Sequence, residues 1–113
     1  MATATYIQEG SSIDYTPAAD VTAGDVIVQN ELVGVAKHDI PANTLGSLSV
    51  MGVFDFPKAT GGGSAIDEGL DVYWDAGNTE ATTDPAAGAN KKIGRSIASA
   101  DDNATTVRIR MSQ

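Results

Sequence analysis

Along this chain apolar and polar residues alternate in short runs rich in Val and Ile, and Gly or Pro interrupts them about every ten residues. A period of two with frequent breakers describes short β-strands joined by turns, and helical periodicity is nearly absent. The pattern predicts strands over residues 5–9 and 12–15, then an irregular loop over 16–24 that holds Pro17. A strand follows over 25–29, with Val26 and Val28 on one face and Ile27 on the other. After a turn at Asn30 and Glu31 comes a strand over 32–37, where Gly34 marks a bulge or a close backbone approach. A turn at 40–43 leads into the longest predicted strand, 46–56. There Leu48, Val50 and Gly52 alternate with Ser47, Ser49 and Met51, and Phe54 and Phe56 share a face. Residues 60–64 read as a flexible loop. Residues 65–69 read as one helical turn, with Asp67 and Glu68 near its start. Further strands are expected over 72–74, 92–99 (with Gly94 inside) and 105–111, and a polar hairpin and loop over 76–90. The fold class is all-β, with at most one or two short helical turns.

A three-beat pattern occurs twice. Gly24-Asp25-Val26-Ile27-Val28, Leu32-Val33-Gly34-Val35-Ala36 and Gly46-Ser47-Leu48-Ser49-Val50 form the first copy. Leu70-Asp71-Val72-Tyr73-Trp74, Lys92-Ile93-Gly94-Arg95-Ser96-Ile97-Ala98 and Thr105-Thr106-Val107-Arg108-Ile109 form the second. In each copy an acid precedes a short strand and a Gly sits inside the second strand. The pattern reads as two related lobes in one domain spanning 1–113, or as coincidence between short segments.

Composition narrows the chemistry. At 113 residues the chain is long enough to bury a core without a metal or disulfide, and it has no cysteine. No apolar run reaches the ~20 residues that cross a bilayer. The first residues carry neither a basic flank nor an apolar stretch, so no signal peptide is expected and synthesis in the cytoplasm is. A net charge of −8 disfavours nucleic acid and anionic membrane as partners. The charge is uneven: thirteen acids and only Lys37 and Lys58 precede Pro85, whereas Lys91, Lys92, Arg95, Arg108 and Arg110 share the remainder with Asp101 and Asp102. That polarity suits head-to-tail contact between identical subunits, docking on a charged partner, or plain surface scatter.

No catalytic constellation emerges. His38, the single histidine, has no nucleophile-elbow pattern to serve and reads as a polar turn residue. Asp67, Glu68, Asp71 and Asp75 offer paired carboxylates, but few aromatics accompany them for a sugar groove, and a solvated acidic face is the better reading. Asp101-Asp102-Asn103 lacks the spacing of a calcium loop, and the glycines at 61–63 lack the residues of a phosphate loop. Neither a cofactor nor a metal is expected, and the chain does not read as an enzyme. Arg108 and Arg110 share one strand face that suits carboxylates of a neighbouring subunit. Trp74 lies on the side of Val72, as core or as an interface anchor.

Several stretches, in this order, resemble a phage family: Tyr6-Ile7-Gln8-Glu9-Gly10 with Ile13-Asp14-Tyr15-Thr16, Val21-Thr22-Ala23-Gly24-Asp25-Val26, Leu32-Val33-Gly34-Val35-Ala36, Gly52-Val53-Phe54-Asp55-Phe56-Pro57-Lys58-Ala59, Val72-Tyr73-Trp74-Asp75, and Ile93-Gly94 with the ending Ala104-Thr105-Thr106-Val107-Arg108-Ile109-Arg110. They are similar to the DUF2190 group of capsid cement, or head-decoration, proteins of tailed phages. The Val-Tyr-Trp-Asp and Phe-Pro-Lys-Ala stretches are the most telling. The resemblance implies distant kinship with the lambda-type head-decoration protein, hence a compact β-clip or β-tulip-like barrel. It implies a structural virion protein on the outer surface of the expanded capsid. Its partners are then the major capsid protein and itself, as homotrimers at three-fold and quasi-three-fold sites. In that setting residues 1–8 are expected to form an arm, with Thr3, Ala4, Thr5, Tyr6, Ile7 and Gln8 contacting the capsid. Arg108, Arg110 and Trp74 are expected between subunits. The alternative is a tail or surface β-module that binds a glycan or another ligand.

Overall fold

The structure, a computed structural model, describes residues 3–8 and 10–113. Nine strands form two antiparallel sheets. The first contains β1 (Ser12–Tyr15), β2 (Val26–Gln29), β3 (Leu32–Val35) and β4 (Gly46–Ser49), in the order β1-β4-β3-β2. The second contains β5 (Gly52–Pro57), β6 (Asp71–Asp75), β7 (Glu80–Thr82), β8 (Lys91–Ser96) and β9 (Thr106–Met111), in the order β5-β9-β8-β6-β7. One short 3-10 turn, Ala86–Gly88, is the helical content.

The expected closed barrel is not what forms. The edges of the second sheet meet at a single parallel bridge, Lys58 to Ala81, so the sheet curls without closing. The molecule is plate-like, 48 × 40 × 25 Å, with a radius of gyration of 15.1 Å against roughly 13 Å for a rounder domain of this size.

Alternation predicted most strands because each buries one face. In β9, Val107, Ile109 and Met111 are buried while Thr106, Arg108 and Arg110 are exposed. In β5, Phe54 and Phe56 share the inner face and meet edge-on at 6.3 Å, and Phe56 lies 6.0 Å from Trp74. These rings, with Val72, Ile93 and the β9 residues, make the main core. Such aromatic pairs add about 0.5–1.5 kcal/mol each beyond area burial. A second cluster, Val21, Ala36, Ile40 and Leu48, sits under the first sheet with Ile13, Tyr15 and Ile27 against it.

Strand β3 joins the two. Val33 and Val35 enter the main core, and Ala36 the second cluster. Gly34 is a close approach, not a bulge: a Cβ there would stand 2.9 Å from Leu48 Cβ. Where β4 leaves β3, the side-chain amide of Gln113 takes the vacant ladder position. Val33 N–H donates to Gln113 Oε1 (2.7 Å) and Gln113 Nε2 donates to Val33 C=O (2.6 Å).

Three expectations need correction. The predicted strand 46–56 is two strands in different sheets. Gly52 adopts φ 120°, open to glycine, and the chain changes sheet there. Residues 65–69 are not helical: Ile66 pairs with Ala100, and Asp67 and Glu68 lie in the turn behind it. Residues 5–8 of the predicted strand 5–9 form no strand, since no neighbour supplies a ladder; Glu9 lies outside the described residues, as do Met1 and Ala2 of the arm.

The sequence repeat has a structural counterpart. The order β1-β4-β3-β2 matches β5-β9-β8-β6, with β7 and its loop added where the first lobe has the turn at Asn30 and Glu31. The bridge Val21–Ile40 matches Ile66–Ala100. Gly24 N–H donates to Ala36 C=O and Gly69 N–H to Ser96 C=O, and both glycines have positive φ. Ala23 N–H bonds Asp39 as Glu68 N–H bonds Ser99. Gly94, the counterpart of Gly34, lies tighter still. A Cβ would stand 2.0 Å from Arg110 C=O and 2.7 Å from Ser112 N, both backbone atoms that cannot swing aside.

Gly94→Ala should therefore separate β8 from β9 and cost at least about 3 kcal/mol, read as a lowered urea midpoint in Trp74 fluorescence. Gly62→Ala, with open space around its Cβ, should stay within about 0.5 kcal/mol of the parent. Equal midpoints for the two variants would refute the close packing. A second variant tests the buried Lys58. Its Nζ donates to Ala59 C=O (2.7 Å), Ala104 C=O (3.1 Å) and Ser64 Oγ (3.5 Å). Lys58→Met should cost about 1–3 kcal/mol and raise hydrogen exchange across 60–64 and 101–104; unchanged protection there would remove the ammonium as the tie.

Candidate interaction surface

The outer face of the second sheet is charged in register. Across four strands Val53, Arg110, Arg95 and Asp71 stand opposite one another in turn. One row over, Asp55 faces Arg108 and binds it twice, Nε to Oδ1 at 2.9 Å and Nη2 to Oδ2 at 3.1 Å. These bonds hold the Asp55 carboxyl below its ordinary range. Asp71 accepts Arg95 Nε at 3.0 Å and lies 3.5 Å from Lys92 Nζ, and the Arg95 bond is the main reason its carboxyl is lowered. Exposed pairs of this kind contribute little to stability.

Arg95 and Arg110 are direct cross-strand partners of like charge, an arrangement that disfavours pairing. Asp71 compensates Arg95. Among the described residues the Arg110 side chain makes no hydrogen bond or ion pair. Lys92, Arg95 and Arg110 line one open groove of ≈ 370 Å³ with Gly69, Ile97 and Ser112. Exposed Val53 and Ile97 flank the arginines.

The two lobes hold grooves at equivalent places, ≈ 260 Å³ in the second, where Asp55, Ala98, Ser99 and Arg108 line it, and ≈ 340 Å³ in the first. Asp14, His38, Asp39, Leu45 and Ser47 line it, and Leu45 is 68 % exposed.

The sequence-predicted residues separate. Arg108 and Arg110 do share the exposed face, but Arg108 is engaged within its own chain. Trp74 is buried in the main core against Phe56, with 6 % exposure, and offers little surface to a partner. Thr3, Ala4, Thr5, Tyr6, Ile7 and Gln8 are exposed, Tyr6 at 76 % and Ile7 at 80 %, and Gln8 Nε2 bonds Ser12 C=O. Two of the acids weighed for chemistry tie down loops. Asp75 accepts Asn78 Nδ2 and the N–H groups of Gly77 and Asn78, which lowers its carboxyl, and Asp102 Oδ1 accepts Ala65 N–H. Among the described residues no three His, Asp or Glu side chains gather as a metal site. Sequence reasoning missed Asp14 and Lys58. The shared spacing of Ile13-Asp14-Tyr15 and Phe54-Asp55-Phe56, an acid between two inward apolar residues, was the signal for the first.

No curated protein and no solved structure matches the chain. A family model described as phage cement protein matches residues 7–111, covering both lobes from the end of the arm to the close of β9. The chain belongs to the phage cement protein family.

Proposed function

We propose that this protein decorates the outer surface of the expanded phage capsid, as homotrimers at three-fold and quasi-three-fold sites, and stabilises it against the pressure of packaged DNA. The family match over residues 7–111 carries the reading; membership makes the chain a capsid-associated structural protein and supports a non-catalytic role. The short-stranded two-sheet build is compatible with kinship to the lambda-type decoration protein. A ligand that binds only the expanded lattice shifts the equilibrium toward that lattice, and many weak sites on one shell add through multivalency. The plate shape gives each copy a broad face relative to its mass.

In this reading Thr3, Ala4, Thr5, Tyr6, Ile7 and Gln8 order on the shell by adding a strand to a capsid sheet edge. Their exposure, and the two large apolar side chains among them, support it. Arg108 and Arg110 lie toward the neighbouring subunit.

Co-sedimentation with expanded, undecorated heads tests the proposal, with unexpanded proheads as control. Saturable binding to expanded heads alone is expected; absence of binding to either would refute it. Deleting residues 3–8 should weaken head binding at least about tenfold with an unchanged unfolding midpoint. Undiminished binding would remove the arm from the interface.

A further inference from the structure

The two lobes are built alike, but their equivalent grooves are not. In the second lobe, Asp55 of the outer strand faces Arg108 and is paired with it along the wall of a groove of ≈ 260 Å³. In the first lobe the same pairing places Asp14 of β1 opposite Ser47 of β4. Serine has neither the length nor the charge of arginine. Among the described residues the Asp14 side chain makes no hydrogen bond or ion pair, and its groove stays open, edged by His38, Asp39 and the exposed Leu45. The molecule thus carries its own template for what pairs with this carboxylate: a guanidinium that donates from two of its three nitrogens, as Arg108 does to Asp55.

The chain also carries a guanidinium without a carboxylate. Of its three arginines, Arg95 is bonded to Asp71 and Arg108 to Asp55, while Arg110 stands opposite Arg95 with no acid beside it. Its groove holds three cations against the one carboxylate of Asp71 at its edge. Val53 and Ile97 beside it supply apolar surface of the kind that Leu45 presents in the other groove.

We propose that the Asp14 groove of one copy receives Arg110 of a second copy. The contact goes beyond capsid attachment and needs no capsid to form. Because the two surfaces differ, the contact is heterologous: repetition closes a ring or runs into a filament, according to the rotation between copies. The uncompensated Arg95–Arg110 apposition then has a use, since the partner's carboxylate supplies the missing counter-charge.

The test is sedimentation velocity of the protein alone, at millimolar concentration and low ionic strength. Self-association is expected, weakening as salt screens the contact. Arg110→Glu and Asp14→Arg should each weaken it at least about tenfold, and an equimolar mixture of the two should recover a mixed species. Ser47→Arg is the sharper variant. It installs on the exposed side of β4 the cation that the second lobe already has, and should occupy Asp14 from within and leave the protein monomeric. Unfolding midpoints near the parent value show that the variants fold. A monomeric wild-type protein, association indifferent to the three substitutions, or no recovery on mixing would each overturn the proposal. If wild-type protein stays monomeric while Arg110→Glu abolishes binding to expanded heads, the occupant is the shell, and the second-copy contact falls while the capsid reading stands.

Discussion

Strand β3 has no solvent-facing side. Val33 and Val35 are buried in the main core, while Ala36 reaches the second cluster and Gly34 lies against Leu48. An antiparallel strand usually buries one face, and this one buries two because the second sheet's core covers one side and the cluster of Val21, Ile40 and Leu48 the other. The rest of the molecule follows from that. Both cores share β3, so neither sheet is an independent unit, and a side chain at position 34 would press on Leu48 of the second cluster. The Gln113 amide works at the same place. It supplies the ladder bonds that β4 abandons when the chain crosses at Gly52, sparing Val33 two unpaired buried polar groups at a cost of roughly 1–3 kcal/mol each.

Around this shared strand the two lobes repeat one plan, and what distinguishes them lies at the surface. The equivalent grooves differ by one cation, Arg108 against Ser47, and the second lobe gains β7 with its loop. A duplicated scaffold keeps its core residues for packing and is free to diverge where side chains face water. The cationic face of the second sheet and the acidic groove of the first are such divergences. They give a chain of net charge −8 a surface that attracts acids.

Alternation made most strands readable, because Val107, Ile109 and Met111 or Val72 and Trp74 each mark one buried face at a spacing of two. It failed where long-range geometry decides. Residues 46–56 alternate without a break, yet the chain changes sheet at Gly52; alternation records which face is buried, not which sheet buries it. Asp67 and Glu68 look like the start of a helix, but the bridge of Ile66 to Ala100 depends on a partner distant in sequence. The arginine face was legible as a face. That Arg108 is engaged and Arg110 is not depends on a register with Asp55, 53 residues away, which no local pattern encodes. No local pattern marks Lys58 as buried; the convergence of two loops on its ammonium buries it.

Strand β9 follows both β5 and β8 in the chain and lies between them in the second sheet. Until residues 106–111 leave the ribosome, β5 and β8 have no common neighbour, and the apolar side chains of Phe54, Phe56 and Ile93 lack the layer that covers them. The second lobe therefore forms as a late, all-at-once closure, and the nascent chain carries two unpaired strand edges up to that moment.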